Sequence, residues 1–249
     1  MLIEFVGCSG AGKTTFATAV LTALLERGCK VAYSPDLIAQ ITKSAWLRNE
    51  RFRNVLISVW LLPWFWKSRR VHRSYYDFAF SVIRRDAENL WEWSSRTRSL
   101  VRHACTFEIL RRFESQYDFV LVDECTLGSA HNLFVHVNTP PRHDEIQQFA
   151  TLVPMPDMVV HIDADTQRVL LRTLGRPDPP IPRGRKNNRF EAFIRHGQQV
   201  YCELTKCAEV QARVLTVTNS GDKLESVHRQ ARQLVESVVR TREDHERYR

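Results

Sequence analysis

Five short apolar runs, parted by helical patterns, constrain this chain more than any other feature. They are "LIEFV" (2–6), "KVAYS" (30–34), "DFVLVDE" (118–124), "DMVVHID" (157–163) and "RVLTV" (213–217). Each is near-continuously apolar and ends in polar residues or a glycine loop, the pattern of a strand buried on both faces. Between the first two, Thr14 to Arg27 carries Phe16, Val20, Leu21, Leu24 and Leu25 on one stripe, with Gly28 as its stop. "DTQRVLLRTL" follows the fourth run, and "GDKLESVHRQARQLVESVV" follows the fifth. Alternation of this kind predicts an α/β fold, a five-stranded parallel sheet with helices on both faces. Ligands of such sheets sit beyond the carboxyl ends of the strands.

The 249 residues suit one domain, 1–249, with an elaborated insert. Residues 44–116 interrupt the strand–helix rhythm and read as that insert, mostly helical. They hold all six tryptophans and 14 Arg or Lys against 7 Asp or Glu, so most of the net charge of +8 lies there. A basic balance points to an anionic partner. Cys8, Cys29, Cys105, Cys125, Cys202 and Cys207 are scattered without a CxxC pair, which predicts reduced thiols and argues against structural zinc. "MLIEFVG" lacks a basic leader and runs straight into the first strand, and "VLISVWLLPWFW" is too short and proline-broken to span a bilayer. The expectation is a soluble, cytoplasmic chain. The tail "RTREDHERYR" is expected to fray.

Between the first strand and first helix lies "GCSGAGKT" (7–14), a full match to G-x-x-x-x-G-K-[ST]. Glycines let backbone N–H groups curl around an anion, and the helix behind adds its positive end. Gly7, Ser9, Gly10, Ala11, Gly12, Lys13, Thr14 and Thr15 are therefore candidate ATP-binding residues. Lys13 is placed to reach the β- and γ-phosphates, and the Thr14 hydroxyl to ligate Mg²⁺. Asp123, ending the third run, is the second candidate Mg²⁺ ligand. Glu124 follows it, suited either to polarise water or to contact an acceptor hydroxyl. From Arg172 to Arg189, Arg172, Arg176, Arg183, Arg185, Lys186 and Arg189 stand against Asp178 alone, around the proline-rich "PDPPIP". An arginine-lined loop after a parallel strand is what a lid closing over a moving phosphoryl group requires, and 172–189 is read as that lid.

Four blocks, "FVGCSGAGKTTF", "FVLVDECTLGSAHNLF", "MPDMVVHIDADTQRVLLRTLGR" and "RFEAFIRHGQQVYCEL", resemble the thymidylate kinase-like P-loop nucleoside and nucleotide kinases. The second resembles the family's D-R-Y-x-x-S-x-x-A-Y block, with Asp123, Ser129, Ala130 and His131 in step. The third resembles its P-D-L…L-D…R…R run, with Asp163, Arg172 and Arg176. The resemblance implies that Arg102 holds an acceptor phosphate, that a carboxylate after the second strand serves as general base, and that the chain is a homodimer. Asp36 falls near that carboxylate's place; it is equally placed to cap a helix starting near Leu37. The chain departs from the pattern at Ser9, where thymidylate kinases carry an acid, at "YSPDLIAQ" in place of R-E-P-G-G, and at Glu124 in place of the arginine of D-R-Y.

The aromatic, basic stretch "ISVWLLPWFWKSRRVHRSYY" (57–76) admits four readings: core, a pocket stacking on an acceptor base or sugar, a membrane-facing patch, or a nucleic-acid surface. The sequence as a whole favours an ATP- and Mg²⁺-dependent kinase acting on a nucleotide, nucleoside or other hydroxylated small molecule. Lys13, Asp36, Asp123, Arg172 and Arg176 are its catalytic candidates, and Arg102 and Glu124 its acceptor contacts. The alternative is a P-loop NTPase switch whose insert, 44–116, binds nucleic acid or a membrane.

Overall fold

The computed structural model describes residues 1–42, 61, 63–176, 187–219 and 224–247. Five strands form one sheet: β1 (Leu2–Val6), β2 (Val31–Tyr33), β3 (Phe119–Val122), β4 (Met158–Asp163) and β5 (Val214–Thr218). Their order is β2-β3-β1-β4-β5, and every pairing is parallel, with Ile3 opposite Leu121 on one side and Met158 on the other. The helices are α1 (Lys13–Glu26), α2 (Ser34–Ile41), α3 (Arg73–Asp86), α4 (Leu90–Phe113), α5 (Ser129–Phe134), α6 (His143–Leu152), α7 (Thr166–Leu174), α8 (Asn187–Leu204), α9 (Ala208–Gln211) and α10 (Leu224–Arg247).

Alternation along each strand sorts the core into two layers. Ile3, Phe5, Phe119, Leu121, Val160 and Ile162 face α1 and α10, meeting Phe16, Val20, Leu24, Leu234 and Val238. From the opposite face Val6 and Val159 meet α3, α5, α6 and α8, while Leu2, Val120 and Val122 meet Leu37 of α2 and Phe107 and Leu110 of α4. The architecture is therefore three layers, α/β/α. Burial of this apolar surface, at about 25 cal/mol per Å², is what makes the doubly covered sheet stable.

Several boundaries differ from the expectations above. The second strand stops at Tyr33, because Ser34 and Pro35 open α2, where a proline is pre-set for the first helical turn. Asp36 consequently lies inside that turn rather than capping it, and Tyr33 is the residue that precedes the helix. The tail expected to fray continues α10 as helix to Arg247. Much of the stretch read as an insert is helical in α3, α4 and residues 63–71, but the second half of α4 belongs to the layer covering the sheet. Residues 43–60 and 62, with Trp46 and Trp60, lie outside the described residues. So does the proline-rich part of the predicted lid, 177–186, with Arg183, Arg185 and Lys186. Among the described residues no helix is long and apolar enough to cross a membrane.

Candidate active site

The loop leaving β1 is held as a cradle from three directions. Gly10 and Gly12 have φ of 88° and 98°, a region that residues with a Cβ rarely adopt. Space is equally restrictive: a Cβ on Gly12 would stand 2.6 Å from Asn219 Nδ2, and one on Gly10 would collide with Thr173 Oγ1. The Ala11 N–H bonds to the Cys8 carbonyl at 3.1 Å, closing the turn. Asn219, one residue beyond β5, clamps the loop by donating from Nδ2 to the Ala11 carbonyl at 2.8 Å, while its own N–H bonds to the Asp163 carbonyl at 2.6 Å. From α7, Thr173 Oγ1 donates to the Ser9 carbonyl at 3.3 Å. Just beyond α7, Arg176 reaches the Ser9 hydroxyl at 3.4 Å. Arg172 Nη1 lies 3.8 Å from where a Gly12 Cβ would be. Both arginines thus border the loop.

Lys13, first residue of α1, folds back over the cradle. Its ammonium donates to the carbonyls of Gly7 at 2.9 Å and Cys8 at 3.3 Å, and pairs with Glu124 at 3.4 Å. No acid stands in the first turn of α1, where Thr14 and Thr15 are exposed, so the positive end of this helix is left for an anion. The Cys8 thiol is buried and pushed up to about 11 by that burial, which keeps it neutral and uncharged beside the cradle.

At the end of β3 the chain bends, and Asp123 and Glu124 separate. Asp123 Oδ2 accepts a hydrogen bond from Tyr33 at 2.7 Å, whereas its Oδ1 is buried with no hydrogen-bond partner among the described residues. A buried carboxylate oxygen left without a partner is costly unless a cation or bound water completes it. This fits a Mg²⁺ held by Asp123 together with Thr14, since Mg²⁺ keeps most of its water shell and needs few protein ligands. Glu124 is half exposed. Burial favours its neutral acid, but the Lys13 ammonium beside it outweighs this and the carboxyl lies below its ordinary value.

The bend after β3 is itself pinned by Glu4, a fully buried acid on β1. Glu4 accepts from the N–H groups of Cys125 at 2.9 Å, Gly128 at 2.7 Å and Leu127 at 3.3 Å. Neither Glu4 nor Asn219 was marked by sequence reasoning. An acid in the middle of "LIEFV" was the available signal for the first; nothing near Asn219 distinguished it. Ser129, in step with the kinase block, is buried and bonds the Thr126 carbonyl and Tyr75, a structural task.

One cavity of about 740 Å³ runs from Ser9 and Lys13 past Glu124 and His131 to Glu92, Arg96 and the 135–142 loop. His131 stacks on Tyr201 and meets Phe193 edge-on, and burial drives its imidazole down to about 4, so it is neutral. Asp36, exposed on α2, and Arg102, exposed on α4, are not among the residues lining this space. Of the four described tryptophans, Trp66, Trp91 and Trp93 are exposed, and Trp91 lines the cavity, while Trp64 is partly buried against Leu61, Cys105 and Ile109 with Lys67 and Arg112 over its ring.

Fold and site together define an α/β chain with a strand–glycine loop–helix anion cradle at the carboxyl edge of a parallel sheet. No protein-family model matches the chain, and no curated protein does. Among solved structures it is similar to thymidylate kinase from Ehrlichia chaffeensis, at 16% identity and a TM-score of 0.48, covering 95% of this chain and 98% of that one. A likeness at this level bears on neither substrate nor reaction.

Proposed function

We propose that the chain is a P-loop phosphotransferase that moves the γ-phosphoryl group of ATP to a small-molecule acceptor. One observation carries this reading. A single cavity of about 740 Å³ runs from Ser9 and Lys13 of the cradle into an adjoining space lined by Glu124, His131, Trp91 and Phe193, within the range of small-molecule sites. A nucleotide switch needs the cradle but not the adjoining room.

In this reading the loop from Gly7 to Thr15 wraps the phosphates, and Lys13 turns from the Gly7 and Cys8 carbonyls onto them. Arg172 of α7 and Arg176 just beyond it, bordering the loop, neutralise charge spreading over the transferred group. Thr14 and Asp123 would hold Mg²⁺, which would offset charge on the phosphate oxygens. Glu124, released by Lys13, is the group that takes a proton from the acceptor, because it lines the cavity and Asp36 does not. The acceptor oxygen bonds the γ-phosphorus, the β–γ bridging bond breaks, and ADP leaves.

ATP consumption is measured with and without a panel of nucleosides, nucleoside monophosphates and sugars. The expected result is ADP formation that depends on an acceptor. Hydrolysis indifferent to every acceptor, yet raised by DNA or liposomes, would establish the switch reading instead.

A further inference from the structure

Resting on that phosphotransferase reading, we infer that the acceptor is an alcohol carrying no phosphate group, held by aromatic and neutral polar contacts in a wall whose cations are already neutralised.

The charges facing the acceptor half of the cavity decide this. Recognition of a phosphomonoester calls for guanidinium or ammonium groups with open donors. The charge of Arg96 is already met: its Nη2 is bonded to Glu92 at 2.5 Å, and its two terminal nitrogens lie 3.1–3.3 Å from the His136 ring. Arg142 is tied to Glu145 at 3.0 Å, and Glu145 is gripped again by the Arg85 fork, which also holds Asp86. Two arginines against two acids leave that cluster neutral. Glu88 lines the same space, and among the described residues its carboxylate has no ion pair. Once Lys13 engages the triphosphate, Glu124 is uncompensated as well. Among the described residues the acceptor half is then electronegative, and a dianionic phosphate entering it meets like charge.

Glu124 adds a chemical argument. A phosphate oxygen is already anionic at neutral pH and has no proton to surrender. An alcohol must lose one as its oxygen bonds phosphorus, and a carboxylate beside the transferred group can receive it. An acid at this place is therefore useful to an alcohol acceptor and adverse to a phosphorylated one. Exposed Trp91 and half-buried Phe193 supply flat apolar surface for a ring, and Asn132, whose Nδ2 bonds Ser99, keeps a carbonyl oxygen for a hydroxyl.

The test offers ATP·Mg²⁺ with matched pairs, each a parent alcohol and its phosphomonoester, drawn from nucleosides, neutral sugars and amino sugars. Product phosphorus is read by NMR and rates by ADP release. The expected product is a phosphomonoester of a parent alcohol, with kcat/KM about 100-fold above that of its phosphorylated partner, since like-charge contacts cost several kcal/mol. Activity highest on amino sugars would identify Glu88 and Glu124 as cation-binding; activity highest on neutral members would leave them as excluding groups only, and either supports the inference. Glu92→Gln, which frees Arg96, is expected to move the selectivity ratio toward the phosphorylated member by about tenfold. A phosphoanhydride product, or a monophosphate preferred over its parent, overturns the inference and leaves the phosphotransferase reading standing. ADP release absent, or indifferent to every compound, overturns both.

Discussion

Lys13 and Glu124 show how much of this site is decided by single side chains. The ammonium sits on carbonyls at 2.9 and 3.3 Å and on a half-exposed carboxylate at 3.4 Å, contacts that an arriving phosphate replaces with stronger ones. Because the Glu124 partner is half exposed, the pair contributes little to stability, on the order of 0–1 kcal/mol. Lys13→Ala is therefore expected to leave the thermal midpoint nearly unchanged by circular dichroism while lowering ATP turnover by about 10²–10³, the usual cost of losing one preorganised charge-stabilising donor. A variant that turned over ATP at the wild-type rate would remove the cradle from the reaction. "GCSGAGKT" made Lys13 legible in the sequence, because the loop needs those residue types at fixed spacing. Glu124 was legible as an acid beside Asp123 and a candidate acceptor contact; that it faces Lys13 and the cavity depends on how the chain bends after Val122.

Among elements, β1 does the most, since both site loops lean on it. It delivers the cradle at its carboxyl end, and from its centre Glu4 holds the bend after β3 through three N–H groups. Burial pushes the Glu4 carboxyl from its ordinary 4.5 up to about 7, against those three bonds. The folded chain therefore keeps this proton longer than the unfolded one, so stability from Glu4 is present below pH 4.5 and is lost as pH rises toward 7. His103 and His131, driven down to about 4 by burial, act in the opposite sense: their stability is present above 6.5 and lost as pH falls toward 4. Glu4→Gln separates the two. The stability of wild type relative to the variant, from denaturant melts at pH 5 and pH 8, is expected to decline with pH. A margin constant over that range would show that the N–H groups hold Glu4 ionised throughout. All five strands were legible as apolar runs, and α1, α7 and α10 as periodic patterns. The end of β2 was not, because Pro35 opens a helix directly from the strand. Nor was the course of 44–116, where the aromatic stretch 57–76 admitted four readings and burial separates its rings, Trp66 standing in solvent while Tyr75 and Tyr76 fill the interior.

At the scale of the molecule, the site is a meeting of distant segments. The cradle follows β1, Asn219 follows β5, Thr173 and Arg176 come from α7 and its end, and Asp123 and Glu124 follow β3. A nucleotide bound there, as proposed, would cross-link all of them and would bind the folded chain alone. Saturating ATP·Mg²⁺ at about 100 times its dissociation constant is expected to add about 2.7 kcal/mol. For a chain of this size that is a rise in midpoint of about 5–10 °C, readable by differential scanning fluorimetry and absent in Lys13→Ala. A rise of equal size in that variant would mean nucleotide binds elsewhere.

By itself the sequence determined the parallel α/β sheet, the cradle between β1 and α1, and the carboxylates ending the third strand. Periodicity and motif spacing are local, and the backbone geometry of a glycine loop or a buried strand follows from a dozen contiguous residues. Only the tertiary structure decided that Glu124, not Asp36 or Arg102, shares a cavity with Lys13, and that Glu4 and Asn219 brace the two loops. Those facts depend on which strands are neighbours and on which charges meet across more than a hundred residues of chain, and no local pattern encodes such meetings.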